Sequence, residues 1–286
     1  MLVASLVSLV YKDGVTFEIT ISSFIVLFIG ALLMLFFRHY DKQIQKREGY
    51  LIVTLGWLLM AVSGTIPYIF TGAIPNFTSS FFETMSGYTT TGATILDDIE
   101  SLPEGILFWR STTHWIGGMG IIVLAIAILP FLGIGGIQLF TAEAPGPAGD
   151  KLHPRITDTA KRLWLIYFLY TFVETFLLYF AGMTFFDAIN HAMSTLSTGG
   201  FSTKNNSIAY WNDQPIIQYI IISFMFLAGT NFVLSYFIFT KKIKKILQDD
   251  EFKLYVSFLM IFSLFVFLLI CFKEKIFIEY NFSNLE

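Results

Sequence analysis

The sequence predicts an all-α polytopic membrane protein built from repeated units, each a membrane helix, a re-entrant pore helix, a filter loop and a second membrane helix. The first observation behind this prediction is composition: of 286 residues, 55% are hydrophobic and only 14% are charged, which is far from the profile of a soluble domain. The second is a set of apolar runs as long as a membrane crossing. The third is a pair of short polar segments that repeat between these runs.

Six apolar runs are long enough to cross a bilayer, because about 20 helical residues span the hydrocarbon core of about 30 Å. They are residues 17–37, 49–70, 106–132, 163–183, 216–240 and 252–272. Residues 1–10 are apolar too, but a helix of that length reaches only about 15 Å. No small-residue cleavage site follows them to indicate a signal peptide. We interpret them as the end of a longer membrane helix.

Lysine and arginine residues predict the orientation, because positively charged loops stay in the cytoplasm. If residues 17–37 run from outside to inside, thirteen of the 18 basic residues fall in inner segments and five in outer ones. The five outer residues are Lys12, Arg110, Lys204, Lys273 and Lys275. The sequence therefore places residues 76–104 and 184–215 outside, and residues 38–48 and 141–162 in the cytoplasm.

Two segments between the apolar runs have the same order of residue types. Residues 76–96 read NFTSSFFETMSGYTTTGATIL and residues 184–203 read TFFDAINHAMSTLSTGGFST. Each begins with polar and aromatic residues, offers a helical stretch of about 12 residues and then reaches a Thr-Gly pair. The pairs are Thr91-Gly92 and Thr198-Gly199, which predicts a repeat interval of 107 residues. A helix of that length is about 18 Å long, half a bilayer, so a re-entrant helix fits better than an outer loop.

The Thr-Gly pairs predict a site for cations. A short helix that enters the membrane from outside aims its C-terminus, the negative end of its dipole, at the centre of the membrane. Threonine and glycine carbonyl groups just beyond that end can replace the hydration shell of an ion, as filter carbonyls do in potassium channels. Glycine allows the positive φ that turns successive carbonyls toward one axis. A surface turn is the alternative for a single copy, and two equivalent copies favour the filter.

At these residues the chain resembles the Trk and Ktr type potassium uptake proteins of bacteria, most closely the Trk branch. The motifs that carry the resemblance lie in order across residues 49–240 and are SGYTTTGAT, HWIGGMGIIVLAIAILPFLGIGGIQLFTAEAPGP, KLHPRITDTAKRLW and AGMTFFDAINHAMSTLSTGGFST. The resemblance implies four repeats around one potassium path, each with one filter segment. The ion-facing carbonyls that it implies are those around Thr90, Thr91, Gly92, Ser197, Thr198 and Gly199.

The resemblance also implies how the chain is divided. Residues 1–47 hold N-terminal membrane helices, the first of them truncated, and a cytoplasmic loop. Residues 48–140 form the first pore repeat, residues 141–250 the second, and residues 251–286 begin a third that is incomplete. The chain is then a fragment that supplies two of four filter segments. Its missing half, with two further repeats, is the first implied partner.

Further partners follow from the same resemblance. The complete protein is implied to form a homodimer in the bacterial inner membrane and to bind a cytosolic nucleotide-binding regulatory subunit. Residues 241–245, KKIKK, suit the headgroups of anionic membrane lipids. The net charge of -3 argues against nucleic acid as a partner. Passive permeation of potassium and symport with another ion both stay open.

Several other residues have a structural interpretation beside a functional one. Gly117 and Gly120 suit close helix packing beside the filter more than a hinge. Glu174, in the middle of a span, is interpreted as holding a pore helix by a hydrogen bond rather than as an ion ligand. Glu83 and Asp187 are expected to stabilise the N-termini of the two pore helices.

Two functions of other classes stand beside potassium permeation. An intramembrane enzyme requires acid–base groups that converge, and the candidates are Glu83, His114, Glu174 and His191. No nucleophile motif, phosphate loop or metal cluster accompanies them in the sequence, and the two histidines lack a third ligand at metal spacing. A non-conducting membrane scaffold, or a half-subunit that needs a partner chain, is the other alternative. We therefore expect an ion transporter and not an enzyme.

Overall fold

The computed structural model of the chain describes residues 1–38, 46–120, 156–230, 234, 235, 237 and 243–273, without the side chains of 46–50, 156–160, 243 and 273. Within these ranges the chain forms helices and loops and no strand, which confirms the predicted all-α class. In chain order the helices are α1 (Leu2–Tyr11), α2 (Thr16–Phe37), α3 (Lys46–Gly64), α4 (Ile66–Phe70), α5 (Phe77–Tyr88), α6 (Glu104–Gly118), α7 (Ile156–Phe180), α8 (Phe185–Leu196), α9 (Pro215–Gly229), α10 (Ile243–Gln248) and α11 (Asp250–Lys273). The chain divides into two compact units, unit 1 (Met1–Gly229) and unit 2 (Thr230–Glu286).

Four helical stretches in the described part of the chain are long and apolar enough to cross a membrane. They are Thr16–Phe37, Leu51–Phe70, Lys161–Phe180 and Asp250–Phe272. These stretches coincide with four of the six runs that the sequence predicted as spans, so those four predictions are confirmed. The other two runs, 106–132 and 216–240, extend outside the described residues, and α6 and α9 are their described parts.

Helices α5 and α8 are 12 residues long each and occupy the two places where the sequence predicted pore helices. Each begins at a side chain that accepts a backbone N–H left free in the first turn. Asn76 Oδ1 accepts from Ser79 N at 3.2 Å, and Thr184 Oγ1 accepts from Asp187 N at 3.0 Å. The predicted helical stretches of about 12 residues are therefore confirmed, with a polar cap at the start of each.

Each pore helix packs between the two longer helices that flank it in sequence, α3 and α6 for α5, and α7 and α9 for α8. Helix α6 contacts both pore helices. Its last two glycines allow this: a Cβ on Gly117 would lie 2.1 Å from the Tyr88 carbonyl oxygen, and one on Gly118 would lie 2.5 Å from Ser197 Cα. Close packing is confirmed for Gly117, and Gly118 packs as closely. Neighbouring positions face about 100° apart on a helix, so the two glycines reach two different pore helices. For Gly120, close packing stays a prediction.

The N-terminal helix α1 packs against α2 and α6 within unit 1. Its buried side is polar, with Ser5 and Ser8 both buried. Ser8 Oγ shares a hydrogen bond of 2.8 Å with Thr16 Oγ1. Asp13 Oδ2 accepts the N–H of Gly105 at 2.7 Å. The turn between α1 and α2 therefore supplies a carboxylate to the first turn of α6, where negative charge is favourable.

In unit 2, α10 contacts α11. Helix α11 exposes nearly all of its apolar side chains, although Cys271 near its end is buried. An ion pair of 2.8 Å joins Lys253 Nζ to Asp250 Oδ1 in its first turn. An apolar helical surface of this length is stable only in lipid or against other protein.

Candidate functional site

The backbone changes direction in the same way after both pore helices. Thr90 and Thr198, each two residues beyond a helix end, have φ values of 53° and 57°. Gly92 and Gly200 follow with φ values of 74° and 87°. A left-handed conformation costs a β-branched residue about 1–2 kcal/mol, and such strain persists only where the surroundings impose it. We call residues 89–95 filter loop 1 and residues 197–203 filter loop 2.

This geometry sets the repeat interval at 108 residues, and the predicted interval of 107 is wrong by one. Two hydrogen bonds confirm the register: Thr91 N donates to Ser86 O at 2.9 Å, and Gly199 N donates to Ser194 O at 3.0 Å. Thr91 is therefore equivalent to Gly199, and Gly92 to Gly200. The sequence prediction aligned two Thr-Gly pairs because their residue types are identical. In the structure, the equivalent residues are those that share a positive φ, and these lie 108 residues apart.

The two filter loops lie side by side in unit 1. A Cβ on Gly92 would lie only 1.9 Å from the Gly199 carbonyl oxygen, so the two backbones touch at a position where no side chain fits. Thr91 and Thr198 are exposed, whereas Ser197 is buried. The structure thus brings the six residues predicted as the site into two adjoining loops, of which one face is open.

A side chain from the middle of each pore helix holds the last part of the loop that follows. In filter loop 1, Glu83 accepts from Thr94 Oγ1 at 2.9 Å and from the Ile95 N–H at 3.1 Å. In filter loop 2, His191 Nε2 and Ser202 Oγ share a hydrogen bond of 3.0 Å. Each of these side chains precedes its hydroxyl partner by 11 residues. Glu83 and His191 are therefore equivalent members of the two repeats.

The expectation that Glu83 stabilises the N-terminus of its pore helix is wrong. Glu83 is the seventh residue of α5, is fully buried, and accepts a hydrogen bond of 2.7 Å from Arg110 Nε. Arg110, which the charge count assigned to an outer segment, is buried in α6 with 2% of its surface exposed. A buried carboxylate and a buried guanidinium are stable there because each neutralises the other.

Arg110 also reaches filter loop 2. Its Nη1 donates to the Ser202 carbonyl oxygen at 3.0 Å. The carbon at the centre of its guanidinium group lies 3.5 Å from the centroid of the Phe201 ring, within the range of a cation–π contact. Arg110 is a site residue that the sequence analysis did not single out.

The expected helix-stabilising role of Asp187 is consistent with the structure. Asp187 lies in the first turn of α8, where Thr184 Oγ1 both accepts its N–H and donates to its Oδ2 at 2.8 Å. Its Oδ1 also accepts from Thr203 Oγ1 at 2.6 Å. Asp187 therefore holds the capping side chain of Thr184 and the end of filter loop 2 at once.

The histidines have structural partners. The His114 ring stacks on Phe201 at 3.7 Å between centroids, and its Nδ1 lies 3.3 Å from Ser194 Oγ. A Cβ on Gly199 would lie 2.4 Å from that ring, so the histidine leaves room only for glycine. His191 Nδ1 donates to the Asp187 carbonyl oxygen at 2.8 Å. In the part of the chain that the structure describes, no group of three histidine, cysteine or acidic side chains could hold a metal ion.

Glu174 lies fully buried in α7, close to Thr195 of α8. Neither of its carboxylate oxygens has a hydrogen-bond partner in the part of the chain that the structure covers. The expected hydrogen bond to a pore helix therefore stays a prediction. An enzyme would require Glu83, His114, Glu174 and His191 to converge. The described hydrogen bonds of the first two and of His191 go to residues of the pore helices, the filter loops and α6, and none joins two of the four.

Beyond the filter loops, the segments that follow them are joined to each other. The N–H of Ile99 donates to Asn205 Oδ1 at 2.7 Å, and Asn205 Nδ2 donates to Asp98 Oδ1 at 3.0 Å. The hydrogen bond from Asn205 holds the pKa of Asp98 below its usual value. Glu100 Oε1 also accepts the Asn205 N–H at 3.1 Å. The two segments therefore lie on the same side of unit 1, as the predicted topology requires.

Two short helices, each between two longer helices and each followed by a bent loop, define a membrane protein built from repeated pore-helix units. The chain belongs to the TrkH family of cation transport proteins, because the model of that family matches residues 15–281. It is an integral membrane protein of the bacterial inner membrane.

Curated relatives and a solved structure agree with this assignment. The Trk system potassium uptake protein TrkH of Salmonella typhimurium is 46% identical over 261 residues, which are 90% of this chain and 54% of that protein. The potassium uptake protein TrkG of Escherichia coli is 40% identical over 90% of this chain and 53% of its own length. The crystal structure of the potassium transporter TrkH from Vibrio parahaemolyticus superposes with a TM-score of 0.79 at 38% identity, over 95% of this chain and 55% of that one. The chain thus spans about half the length of the curated relatives it matches.

Proposed function

We propose that this chain supplies two of the four selectivity-filter segments of a potassium uptake protein. The observation that carries the proposal is the pair of equivalently bent filter loops, which adjoin each other at the ends of two half-membrane helices. The names of its relatives support potassium as the transported ion. The ion is the cargo of the protein and not a resident cofactor.

The ion-facing carbonyls proposed are those around Thr90, Thr91, Gly92, Ser197, Thr198 and Gly199. The 108-residue register adds Gly200, as the counterpart of Gly92, to this set. The physical basis is that the C-terminal end of each pore helix carries partial negative charge. A positive φ at alternate residues turns carbonyl groups toward a common side, where they can replace water around a cation.

The remaining parts of the proposal concern the complete protein. We propose that two further repeats supply the other two filter segments, with this chain divided at residues 47, 140 and 250 as the sequence indicates. A homodimer, a cytosolic nucleotide-binding regulatory subunit and anionic lipids at residues 241–245 are its proposed partners. Residues 241 and 242 of that basic segment lie outside the described residues. We assign no enzyme activity to the chain.

Complementation of bacteria that lack their own potassium uptake tests the proposal. The chain is joined to the second half of the Escherichia coli TrkH relative, and growth is measured at low external potassium. The joined protein is expected to restore growth. A joined protein that reaches the membrane but carries no potassium would contradict the proposal if the graft described next also fails.

A graft is the control for a joined protein that fails because this chain and the half from the relative fit together poorly. Residues 76–103 and 184–206 of this chain replace their equivalents in the intact relative, which keeps all of its own contacts between halves. Potassium uptake by the graft is expected to match that of the relative. Loss of uptake in both the joined protein and the graft would remove these loops from the ion path.

A further inference from the structure

We infer that Arg110 is a positioning residue that supports filter loop 1 and filter loop 2 at the same time, so that its removal loosens both loops. This inference rests on the proposed function, since it concerns the loops to which the ion path is assigned there. It adds a buried side-chain contact between the repeats to the direct backbone contact of Gly92 with Gly199.

On the side of filter loop 1, Arg110 acts through a carboxylate. Arg110 Nε donates to Glu83 Oε1 at 2.7 Å, and both side chains are almost completely buried. The same carboxylate accepts from Thr94 Oγ1 at 2.9 Å and from Ile95 N at 3.1 Å. The guanidinium therefore fixes the group that fixes the last part of filter loop 1.

On the side of filter loop 2, Arg110 acts directly. Its Nη1 donates to the Ser202 carbonyl oxygen at 3.0 Å, and its guanidinium lies against the Phe201 ring at 3.5 Å. These two residues follow Gly200, where φ is 87°. A movement of this part of filter loop 2 would break the hydrogen bond from Arg110 to Ser202. That bond is charge-assisted and buried, and such bonds are strong.

The chemistry of arginine suits this double contact. Its planar guanidinium holds five N–H donors in a fixed fork, so that Nε and Nη1 can serve two different acceptors at once. A lysine ammonium group is a single point charge and has no such fork. A buried ion pair adds little net stability, because desolvation offsets the attraction. The effect of the pair is therefore on geometry more than on stability.

The contacts within repeat 2 give filter loop 2 a second support. His191, the counterpart of Glu83, holds Ser202 Oγ from within its own repeat. Filter loop 2 thus has one support of its own and one that comes from repeat 1. Removal of His191 should loosen filter loop 2 only, whereas removal of Arg110 should loosen both loops.

Hydrogen exchange of the whole chain in lipid nanodiscs, measured by mass spectrometry, tests the coupling without any transport assay. Arg110→Met should speed exchange roughly tenfold in peptides that cover residues 92–96 and residues 199–204, because a lost hydrogen bond of this kind changes a local opening equilibrium by about that factor. Arg110→Lys should keep slow exchange in the first peptide, since its ammonium can still pair with Glu83, and should speed exchange in the second. The matched control, His191→Asn, should speed exchange in the second peptide only.

Transport supplies the second measurement. In the joined protein described above, Arg110→Lys should change the ratio of the potassium and sodium concentrations that half-saturate uptake, with the amount of protein in the membrane unchanged. A purely structural role would lower the amount of protein and leave that ratio as it was.

The outcomes separate the two proposals. If the unmodified joined protein and the graft carry no potassium, the proposed function fails, and the exchange data still decide the coupling. If Arg110→Met leaves either loop as slow as in the unmodified chain, the coupling is wrong. Should that variant not fold, Arg110→Lys decides: release of filter loop 2 alone supports the coupling, and exchange unchanged in both loops overturns it.

Discussion

At the scale of single residues, the glycines of the filter loops meet three different physical demands. Gly92 has a positive φ and also touches the Gly199 carbonyl oxygen, so both its backbone and its lack of a side chain matter. Gly200 has a positive φ in open space, so only its backbone matters. Gly199 has no positive φ, and the His114 ring fills the place of a side chain. The three positions are therefore not interchangeable.

Substitution of Gly92 should reduce potassium uptake more than substitution of Gly200. Gly92→Ala should abolish potassium uptake in the joined protein, because its Cβ would meet a backbone oxygen that cannot move aside. Gly200→Ala should cost about 1–2 kcal/mol of backbone strain and weaken uptake. The control is Gly30→Ala in α2, where a Cβ meets nothing within 4 Å. Uptake by Gly92→Ala equal to that of Gly30→Ala would show that the two loops do not touch.

At the scale of elements, α6 organises the site. It sends Arg110 and His114 to filter loop 2, and its final glycines receive the ends of both pore helices. Its first turn is held by Asp13 from the turn between α1 and α2. One helix of the first repeat thus sets the position of the second pore helix as well as of its own.

Overpacking of α6 should therefore disturb both repeats. Gly117→Ala should push against Tyr88 and Gly118→Ala against Ser197, each lowering the free energy of unfolding by about 1–3 kcal/mol. Thermal unfolding followed by tryptophan fluorescence in detergent measures this loss. Gly56→Ala in α3 is the control, since a Cβ there meets nothing within 4 Å. Equal midpoints for all three variants would contradict the close packing.

The elements were more predictable from the sequence than their register. Apolar runs and polar segments at helix starts predicted the pore helices, because these signals are local. Arg110 escaped prediction because its partners lie 27 and 92 residues away along the chain. A signal for the register was present: Glu83 and His191 each precede a hydroxyl residue by 11 positions. That spacing also aligns Gly92 with Gly200, which the comparison of Thr-Gly pairs did not.

At the scale of the whole molecule, the open face of the filter loops is the decisive feature. Thr89, Thr91 and Thr198 are exposed there, and in the proposed function two pore helices surround only half of the ion path. Backbone groups that face lipid without partners cost several kcal/mol each. The chain therefore needs further protein on this face before it can enclose an ion.

The chain by itself is accordingly expected to insert into the membrane and not to conduct. Expressed alone in cells without potassium uptake, it should fail to restore growth at low potassium, while the joined protein succeeds. The amount of each protein in the membrane is the control for expression. Potassium-selective flux from the purified chain, shown to be monomeric in the bilayer, would contradict this expectation.

The hydrogen bond from Arg110 to Ser202 also sets an order of events during synthesis. Its partners are 92 residues apart, so at the usual elongation rates about 5 to 20 seconds pass between their addition to the chain. During this interval Glu83 is already available to Arg110, while the carbonyl acceptor for its second donor has not yet been made. Filter loop 1 is therefore supported within its own repeat first, and filter loop 2 receives its support from Arg110 only after residue 202 has been added to the chain.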